Sequence, residues 1–249
     1  MKTGLTSVSF RKLSCDEVIA LARESGVDGI EWGSDVHVPQ NDVENAALVA
    51  KKTKDAGLEV ISYGSYFTLG CGENFAPYIE AAKALGARQI RIWGGKKERR
   101  ELSDDEYADL VSEMKKIGEM AEAAGVVVSL EYHQHSITAT APDAAKFASD
   151  VDMPSVRLYW QEIIGRPMAD NLADIDLVAP YLTNVHVFNY IEGKQELLAT
   201  GDGPERWRAY SEKIAKIPGE RAFMTEFCKG GLPESFTDDA RTLCEIVKK

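Results

Sequence analysis

Short apolar runs alternate with longer amphipathic stretches along this 249-residue chain, and that alternation restricts its fold more than any other feature. Runs of this length, bounded by polar turns, predict strands at residues 5–10, 28–33, 58–64, 88–94, 126–132, 155–160, 183–189 and 221–227. The stretches between them predict helices, the clearest at 16–25, 42–56, 74–85, 104–124 and 233–248. Several of these end at a glycine, which suits a left-handed helix cap before the next strand.

Eight strand–helix units in a chain of this length match the size of a (β/α)8 barrel. The main alternative is a doubly wound open sheet, which usually carries a glycine-rich phosphate turn after its first strand. The segment SVSFRKLSCDE stands at that position and contains no glycine. No linker or low-complexity tract interrupts the chain. We therefore predict a single (β/α)8 TIM barrel that forms one domain over residues 1–249.

The charge and the cysteine spacing restrict the partners and the compartment. A formal net charge of −11 argues against binding to nucleic acid or to an anionic membrane, since both need a basic face. The chain shows no signal-peptide pattern and no apolar run near the roughly 18 residues of a transmembrane helix. Its four cysteines are widely spaced without a CxxC pair, which favours reduced thiols. We expect a cytoplasmic protein and leave homo-oligomerisation open.

Polar residues gather at the carboxyl ends of the predicted strands, where the active site of such a barrel lies. The segment SLEYHQH places Glu131 and His133 at the end of the fifth strand, with His135 out of phase on a loop. His186 and Glu226 end the seventh and eighth strands. Carboxylates within apolar strands are costly unless they are paired or bound to metal. A Glu, His and Glu set without thiolates suits Mn²⁺, Mg²⁺, Co²⁺ or Zn²⁺.

Structural alternatives remain for several of these residues. Glu31 can form a salt bridge with Arg91 on a neighbouring strand, and His186 can be a hydrogen-bonded core residue. The segment LLATGDGPERW places Gly201 and Gly203 before a helix predicted to start at Pro204. Backbone N–H groups there can bind a phosphate, or the glycines can form an ordinary turn.

The motifs GVDGIEW, LEYH, HVF and TEF give this chain a family resemblance along its full length. It resembles the xylose isomerase-like TIM barrels, a group that contains sugar and sugar phosphate isomerases and epimerases. The resemblance implies one divalent metal ion, held at the ends of strands five to eight by Glu131, Gln161, His186 and Glu226. Endonuclease IV-like members use more histidines and a basic DNA-binding face, so four histidines and the acidic charge argue against that branch.

The sixth strand departs from the family pattern. Members with one metal have Asp there, followed three residues later by His, whereas the sequence QEII gives Gln161 and Ile164. A neutral amide oxygen then replaces a carboxylate, so we expect weak metal binding. A shift of one residue would bring in Glu162 instead, but strand alternation would require a bulge.

The resemblance implies a metal-dependent isomerase or epimerase that acts on a sugar, keto-sugar or sugar phosphate through an enediolate. Glu131 and Glu226 are the expected catalytic residues, removing and returning a proton on carbon from opposite sides of the substrate. The predicted substrate-binding residues are His37, His133, Lys194, Glu31, Trp32, Tyr63, Trp93 and Trp160. Two alternatives remain: a sugar lyase or dehydratase on the same site, and a non-catalytic sugar-binding barrel whose metal site has decayed.

Overall fold

Eight parallel strands form a closed barrel in the computed structural model, which describes residues 1–248. A separate antiparallel hairpin contributes two further strands between the seventh and eighth barrel strands. In chain order the strands are β1 (Lys2–Thr6), β2 (Gly29–Gly33), β3 (Glu59–Thr68), β4 (Gln89–Trp93), β5 (Val127–Leu130), β6 (Val156–Trp160), β7 (Leu182–Val187), the hairpin strands β8 (Tyr190–Ile191) and β9 (Lys194–Gln195), and β10 (Ala222–Thr225). β10 pairs with β7 and β1, which closes the barrel.

Within residues 1–248, eight α-helices lie between the barrel strands and after the last one. They are α1 (Cys15–Glu24), α2 (Val43–Asp55), α3 (Ala76–Leu85), α4 (Asp104–Ala124), α5 (Ala141–Val151), α6 (Met168–Val178), α7 (Gly203–Ile214) and α8 (Pro233–Val247). The helix starts follow local chemistry: in α4, the Ser103 hydroxyl accepts from the backbone of Glu106, whose carboxylate accepts from the Ser103 N–H. No helix within residues 1–248 combines the length and apolar character needed to cross a bilayer, and the four cysteines are free thiols.

The predicted barrel is confirmed, but the predicted first strand is wrong. β1 covers residues 2–6, and the segment Ser7–Phe10 forms a short 3₁₀ helix instead of continuing the strand. Val8 and Phe10 are buried all the same, Phe10 against Phe236 of α8. Burial of alternate residues in the 3₁₀ turn produced a strand-like pattern in the sequence.

Alternation along the strands divides the side chains between the barrel interior and the helix layer. Trp160 of β6 faces outward and packs against Trp207 and Tyr210 of α7, with ring centroids 6.1 and 5.1 Å away. Trp32 of β2 also faces outward and donates to the Thr53 hydroxyl of α2. Trp32 and Trp160 therefore belong to the layer between barrel and helices.

Part of the barrel interior is polar. Glu31 accepts hydrogen bonds from the hydroxyls of Ser62 and Tyr159. The amide of Asn184 donates to Gln89 and to the Tyr159 hydroxyl. A buried carboxylate with several donors keeps its charge, so the interior can hold ionised groups below the carboxyl ends of the strands.

Truncation of Trp160 should affect stability because its side chain is fully buried in the helix layer. We expect Trp160→Ala to lower the free energy of unfolding by about 3–5 kcal/mol, the usual cost of removing a large buried aromatic. Urea denaturation measures this loss. Trp93→Ala is the matched control, because Trp93 lies partly exposed at a strand end and should cost clearly less. Equal losses for the two variants would contradict the assignment of Trp160 to the core.

Asp239 of α8 should make stability depend on pH. Its carboxylate accepts from the backbone N–H of Leu198, and burial raises its pKa to about 6, above about 3.9 for an unfolded chain. The folded protein thus holds a proton that the unfolded chain has released, and the free energy of unfolding should fall by about 1–3 kcal/mol between about pH 4 and 6. Asp239→Asn should remove this part of the fall in urea denaturation. If the free energy of unfolding fell equally with pH in the wild type and in Asp239→Asn, the role of Asp239 would be contradicted.

Candidate active site

Glu131, His186 and Glu226 converge at the carboxyl ends of β5, β7 and β10. Each offers one ligand atom, and the three atoms lie within 4.8 Å of one another. His186 Nδ1 lies 3.3 Å from Glu226 Oε2 and 3.8 Å from Glu131 Oε1. All three residues are buried. The spacing of these atoms is compatible with shared coordination of one cation.

A buried arginine lies beside this triad. Arg91 of β4 donates from Nη1 to Glu131 Oε2 at 2.7 Å and from Nε to Glu31 Oε1 at 3.3 Å. Glu31 Oε1 also lies 3.3 Å from His186 Nε2. Of the alternatives for Glu31, the salt bridge with Arg91 is therefore present, and Glu31 supports the site from within the barrel.

The charges of these residues stabilise one another. Burial alone would raise the pKa of Glu31, but the Arg91 guanidinium and His186 outweigh it and lower that pKa to about 2. Glu131 follows the same balance, and its pKa is also lowered to about 2. Burial opposes protonation of His186, yet Glu226 and Glu31 raise its pKa well above the usual value. A cation bound here would compete with that proton.

A cavity of about 430 Å³ opens over Glu131 and Glu226. This volume lies within the range of small-molecule pockets. Its walls are largely aromatic and aliphatic, with charged groups at a few points. The lining includes Arg11, Tyr66, Arg91, Trp93, His133, Gln134, Gln161, Glu162, Ile164, Phe188, Tyr190 and Phe227. The cavity is suited to a small polar molecule with one apolar face.

Two of the predicted substrate-binding residues line this cavity. His133 and Trp93 stack with their ring centroids 4.9 Å apart. The His133 ring also lies 2.7 Å, through Nδ1, from the backbone carbonyl of Gln134. That contact and the stacking fix the ring, which leaves Nε2 for a ligand.

Three of the other predicted substrate-binding residues lie outside the cavity. Trp32, Tyr63 and Trp160 are fully buried, and Tyr63 donates its hydroxyl to the backbone carbonyl of Val38. Each occupies the strand phase opposite to inward residues such as Glu31. They belong to the core between barrel and helices rather than to the cavity wall.

His37, Lys194 and Glu31 are also outside the cavity lining. His37 is buried, with its Nε2 2.9 Å from the backbone carbonyl of Leu13 and its ring against Trp32. Lys194 is exposed on the hairpin strand β9. Glu31 lies behind Arg91. These placements do not support direct substrate contact by any of the three.

At the end of β6, Gln161 rather than Glu162 is available as a ligand. The pairing of β6 with β7 shifts register after Leu158, and both residues reach the cavity. Each Glu162 oxygen lies 3.0 Å from a nitrogen of Arg206 in α7, and burial still raises its pKa. The Gln161 Oε1 atom, in contrast, is buried without a hydrogen-bond partner within residues 1–248.

The glycines before α7 have a structural explanation. Gly201 adopts a left-handed conformation with φ of 62°. A Cβ added to Gly203 would lie 2.4 Å from the backbone oxygen of Leu198, so only glycine fits there. Neither residue is part of the cavity lining. The geometry favours the ordinary turn over a phosphate site.

Several cavity residues escaped the sequence prediction. Tyr66 lies beyond the predicted end of the third strand, because β3 continues to Thr68. Arg11 follows the 3₁₀ turn that was predicted as strand. Phe227 has φ of 58°, a left-handed conformation that no motif in the sequence indicates. Only Tyr66 could have been found from the sequence. It lies two residues after Gly64, so strand alternation puts both residues on the same face of β3.

This chain is similar to known proteins at sequence identities of 25%, 20% and 17%. The 3-dehydroshikimate dehydratase of Bacillus anthracis is 25% identical over 201 residues, 76% of this chain and 72% of that protein. The crystal structure of a probable 3-DHS dehydratase from Bacillus anthracis has a TM-score of 0.80 at 20% identity and covers 98% of both chains. A D-psicose 3-epimerase structure has a TM-score of 0.78 at 17% identity over 100% of both chains. The sequence model described as xylose isomerase-like TIM barrel matches residues 19–187, more than half of the chain, so the protein belongs to the xylose isomerase-like TIM barrel family.

Proposed function

We propose that the protein is a divalent-metal-dependent enzyme that moves a proton on the carbon next to a carbonyl in a small sugar-like molecule. We propose that this proton transfer isomerises or epimerises a sugar or keto-sugar. The observation that supports this most directly is the convergence of Glu131, His186 and Glu226 beside a cavity of about 430 Å³. The D-psicose 3-epimerase with the same fold supports the same class of substrate.

The residues at this point fit a metal ion. Within residues 1–248, His186 Nδ1 and Gln161 Oε1 are buried atoms without a hydrogen-bond partner, and a cation would satisfy both. Together with oxygens of Glu131 and Glu226 they form a nitrogen and oxygen set that suits Mn²⁺, Mg²⁺, Co²⁺ or Zn²⁺. A bound divalent ion would supply Lewis-acid polarisation of the substrate carbonyl.

The other side chains would bind and orient the substrate. His133, fixed against Trp93, would hydrogen-bond to a hydroxyl, and the aromatic walls would reduce the access of water. Glu226 would take the proton from carbon, because its side chain lines the cavity and is buried enough to exclude bulk solvent. The small cavity favours a molecule near the size of a monosaccharide.

Dehydration is the second candidate. The curated Bacillus anthracis relative is named a 3-dehydroshikimate dehydratase and aligns with 76% of this chain. A dehydratase begins with the same removal of a proton beside a carbonyl and differs in the bond that breaks next. A non-catalytic sugar-binding barrel is the third, and Gln161 is the residue that motivates it.

Replacement of Gln161 should reveal whether it is a metal ligand. Gln161→Asp adds a carboxylate to the proposed ligand set and should tighten Mn²⁺ binding by about tenfold or more, since ligand charge controls affinity for hard cations. Isothermal titration calorimetry measures both affinities. Gln134→Asp is the matched control, because it adds the same charge to the cavity lining at a residue outside the proposed ligand set. Equal affinities of wild type and Gln161→Asp would contradict ligation, and no binding by either protein would favour the non-catalytic barrel.

Replacement of Glu226 should separate catalysis from folding. Glu226→Gln keeps the size of the side chain but removes the base, so turnover should fall by roughly 10²–10⁴-fold. Turnover on a panel of ketoses can be followed by NMR. The melting temperature should change little, since Glu226 lines a cavity and does not fill the core. Near-normal turnover in this variant would show that another group carries the proton.

A further inference from the structure

Glu131 and Glu226 differ in the number of oxygens that remain free. Glu131 Oε2 accepts from Arg91 Nη1 at 2.7 Å, while Oε1 faces His186 Nδ1 at 3.8 Å. Arg91 is 2% exposed, and its Nε is held by Glu31. Oε1 is thus directed to the shared point of the triad and Oε2 is bound to a fixed guanidinium, so neither oxygen of Glu131 is without a partner.

Glu226 is different. Its Oε2 lies 3.3 Å from His186 Nδ1, and no guanidinium or ammonium group within residues 1–248 lies within salt-bridge distance of it. Like Glu131, Glu226 lines the cavity. Its second carboxylate oxygen is therefore available to a bound molecule, which makes the two glutamates unequal although both belong to the triad.

We propose that Arg91 makes this a single-base site, in which Glu226 alone exchanges protons with substrate carbon and all proton transfer occurs on one face of the substrate. This inference rests on the proposed function and narrows it. Arg91 acts through Glu131 and is a positioning residue that determines the class of reaction. It replaces the expectation that Glu131 and Glu226 work from opposite sides.

The first step is the same for each outcome. The bond between hydrogen and the carbon next to the carbonyl breaks, and the proton passes to the free oxygen of Glu226. The electron pair of that bond forms a carbon–carbon double bond, and the π pair of the carbonyl moves to its oxygen, which gives an enolate, and an enediolate where the carbon that loses the proton carries a hydroxyl. Charge is conserved, because Glu226 becomes neutral as the neutral substrate becomes an anion.

The second step separates the reaction classes. In isomerisation, the hydroxyl proton moves between the two enediolate oxygens while Glu226 returns its proton to the neighbouring carbon on the same face. In dehydration, the carbonyl forms again, the bond to a β-hydroxyl breaks, and the leaving hydroxide takes the proton of Glu226 and departs as water. Epimerisation needs a proton donor on the opposite face of the substrate. Glu131 cannot fill that role while its Oε2 is bound to Arg91. The single-base geometry therefore favours an isomerase or a dehydratase over an epimerase.

Deuterium exchange into dihydroxyacetone tests whether one base or two exchange protons with substrate carbon. Each CH₂OH group of this smallest keto-sugar carries two hydrogens on opposite faces, next to the carbonyl. In D₂O with the Mn²⁺-loaded protein, a single-base site exchanges one hydrogen per carbon and stops at CHDOH, whereas a two-base site continues to CD₂OH. NMR distinguishes the two groups, and Mn²⁺ in buffer alone supplies the background rate. We expect CHDOH from the wild type.

Two variants show which residue is responsible. Glu226→Gln should slow exchange at least about 10²-fold, whereas a two-base site would still exchange one hydrogen through Glu131. Arg91→Met should release Glu131 and allow CD₂OH to form, a stereochemical change that a merely structural role would not produce. Arg221→Met is the matched control, because Arg221 is a buried arginine whose contacts are backbone carbonyls such as those of Ile217 and Leu182. It should leave the product as CHDOH.

Each result bears on a different claim. Formation of CD₂OH by the wild type would overturn the single-base inference while supporting the proposed function. No exchange by a protein that binds Mn²⁺ in calorimetry would overturn the proposed function, and the inference with it. If circular dichroism shows that Arg91→Met does not fold, the comparison of wild type with Glu226→Gln still decides between one base and two.

Discussion

The pairing of Arg91 with Glu31 and Glu131 is the interaction on which the rest of the site depends. Three carboxylates and a histidine lie buried within a few ångströms of one another, and buried charges without partners would be strongly destabilising. The guanidinium satisfies two of the carboxylates at once. That leaves Glu226 as the carboxylate whose interaction with the cavity is least restricted.

The closed barrel is what makes this arrangement possible. β4 and β5 are neighbours, so Arg91 reaches Glu131 directly, whereas Glu31 and His186 meet across the interior from β2 and β7. The hydroxyls of Ser62 and Tyr159 complete the hydrogen bonding of Glu31. Because each of these residues makes at least one hydrogen bond to another member of the network, the network can fix one geometry rather than several. A fixed geometry is what a proton-transfer site requires.

Contacts beyond the barrel hold the loops that shape the cavity. Arg206 of α7 links Glu162 after β6 to Asn189 after β7, and Asp239 of α8 holds the backbone of Leu198. These contacts join consecutive loops to the helices behind them. The cavity is thus defined by residues distant in sequence, which explains why much of its lining was not predicted.

The sequence by itself determined the barrel, its eight units and the positions of Glu131, Gln161, His186 and Glu226 at strand ends, because periodicity and the geometry of parallel strands require no distant contacts. The prediction that Trp32 and Trp160 bind substrate used only their position at the ends of strands. It did not use the alternation of side chains along a strand, which directs both residues to the helix layer. Only the tertiary structure decided that Arg91 binds Glu131 rather than Glu31 alone. The reason is that a hydrogen bond depends on side-chain distances and directions across the barrel interior, which no spacing in the chain specifies.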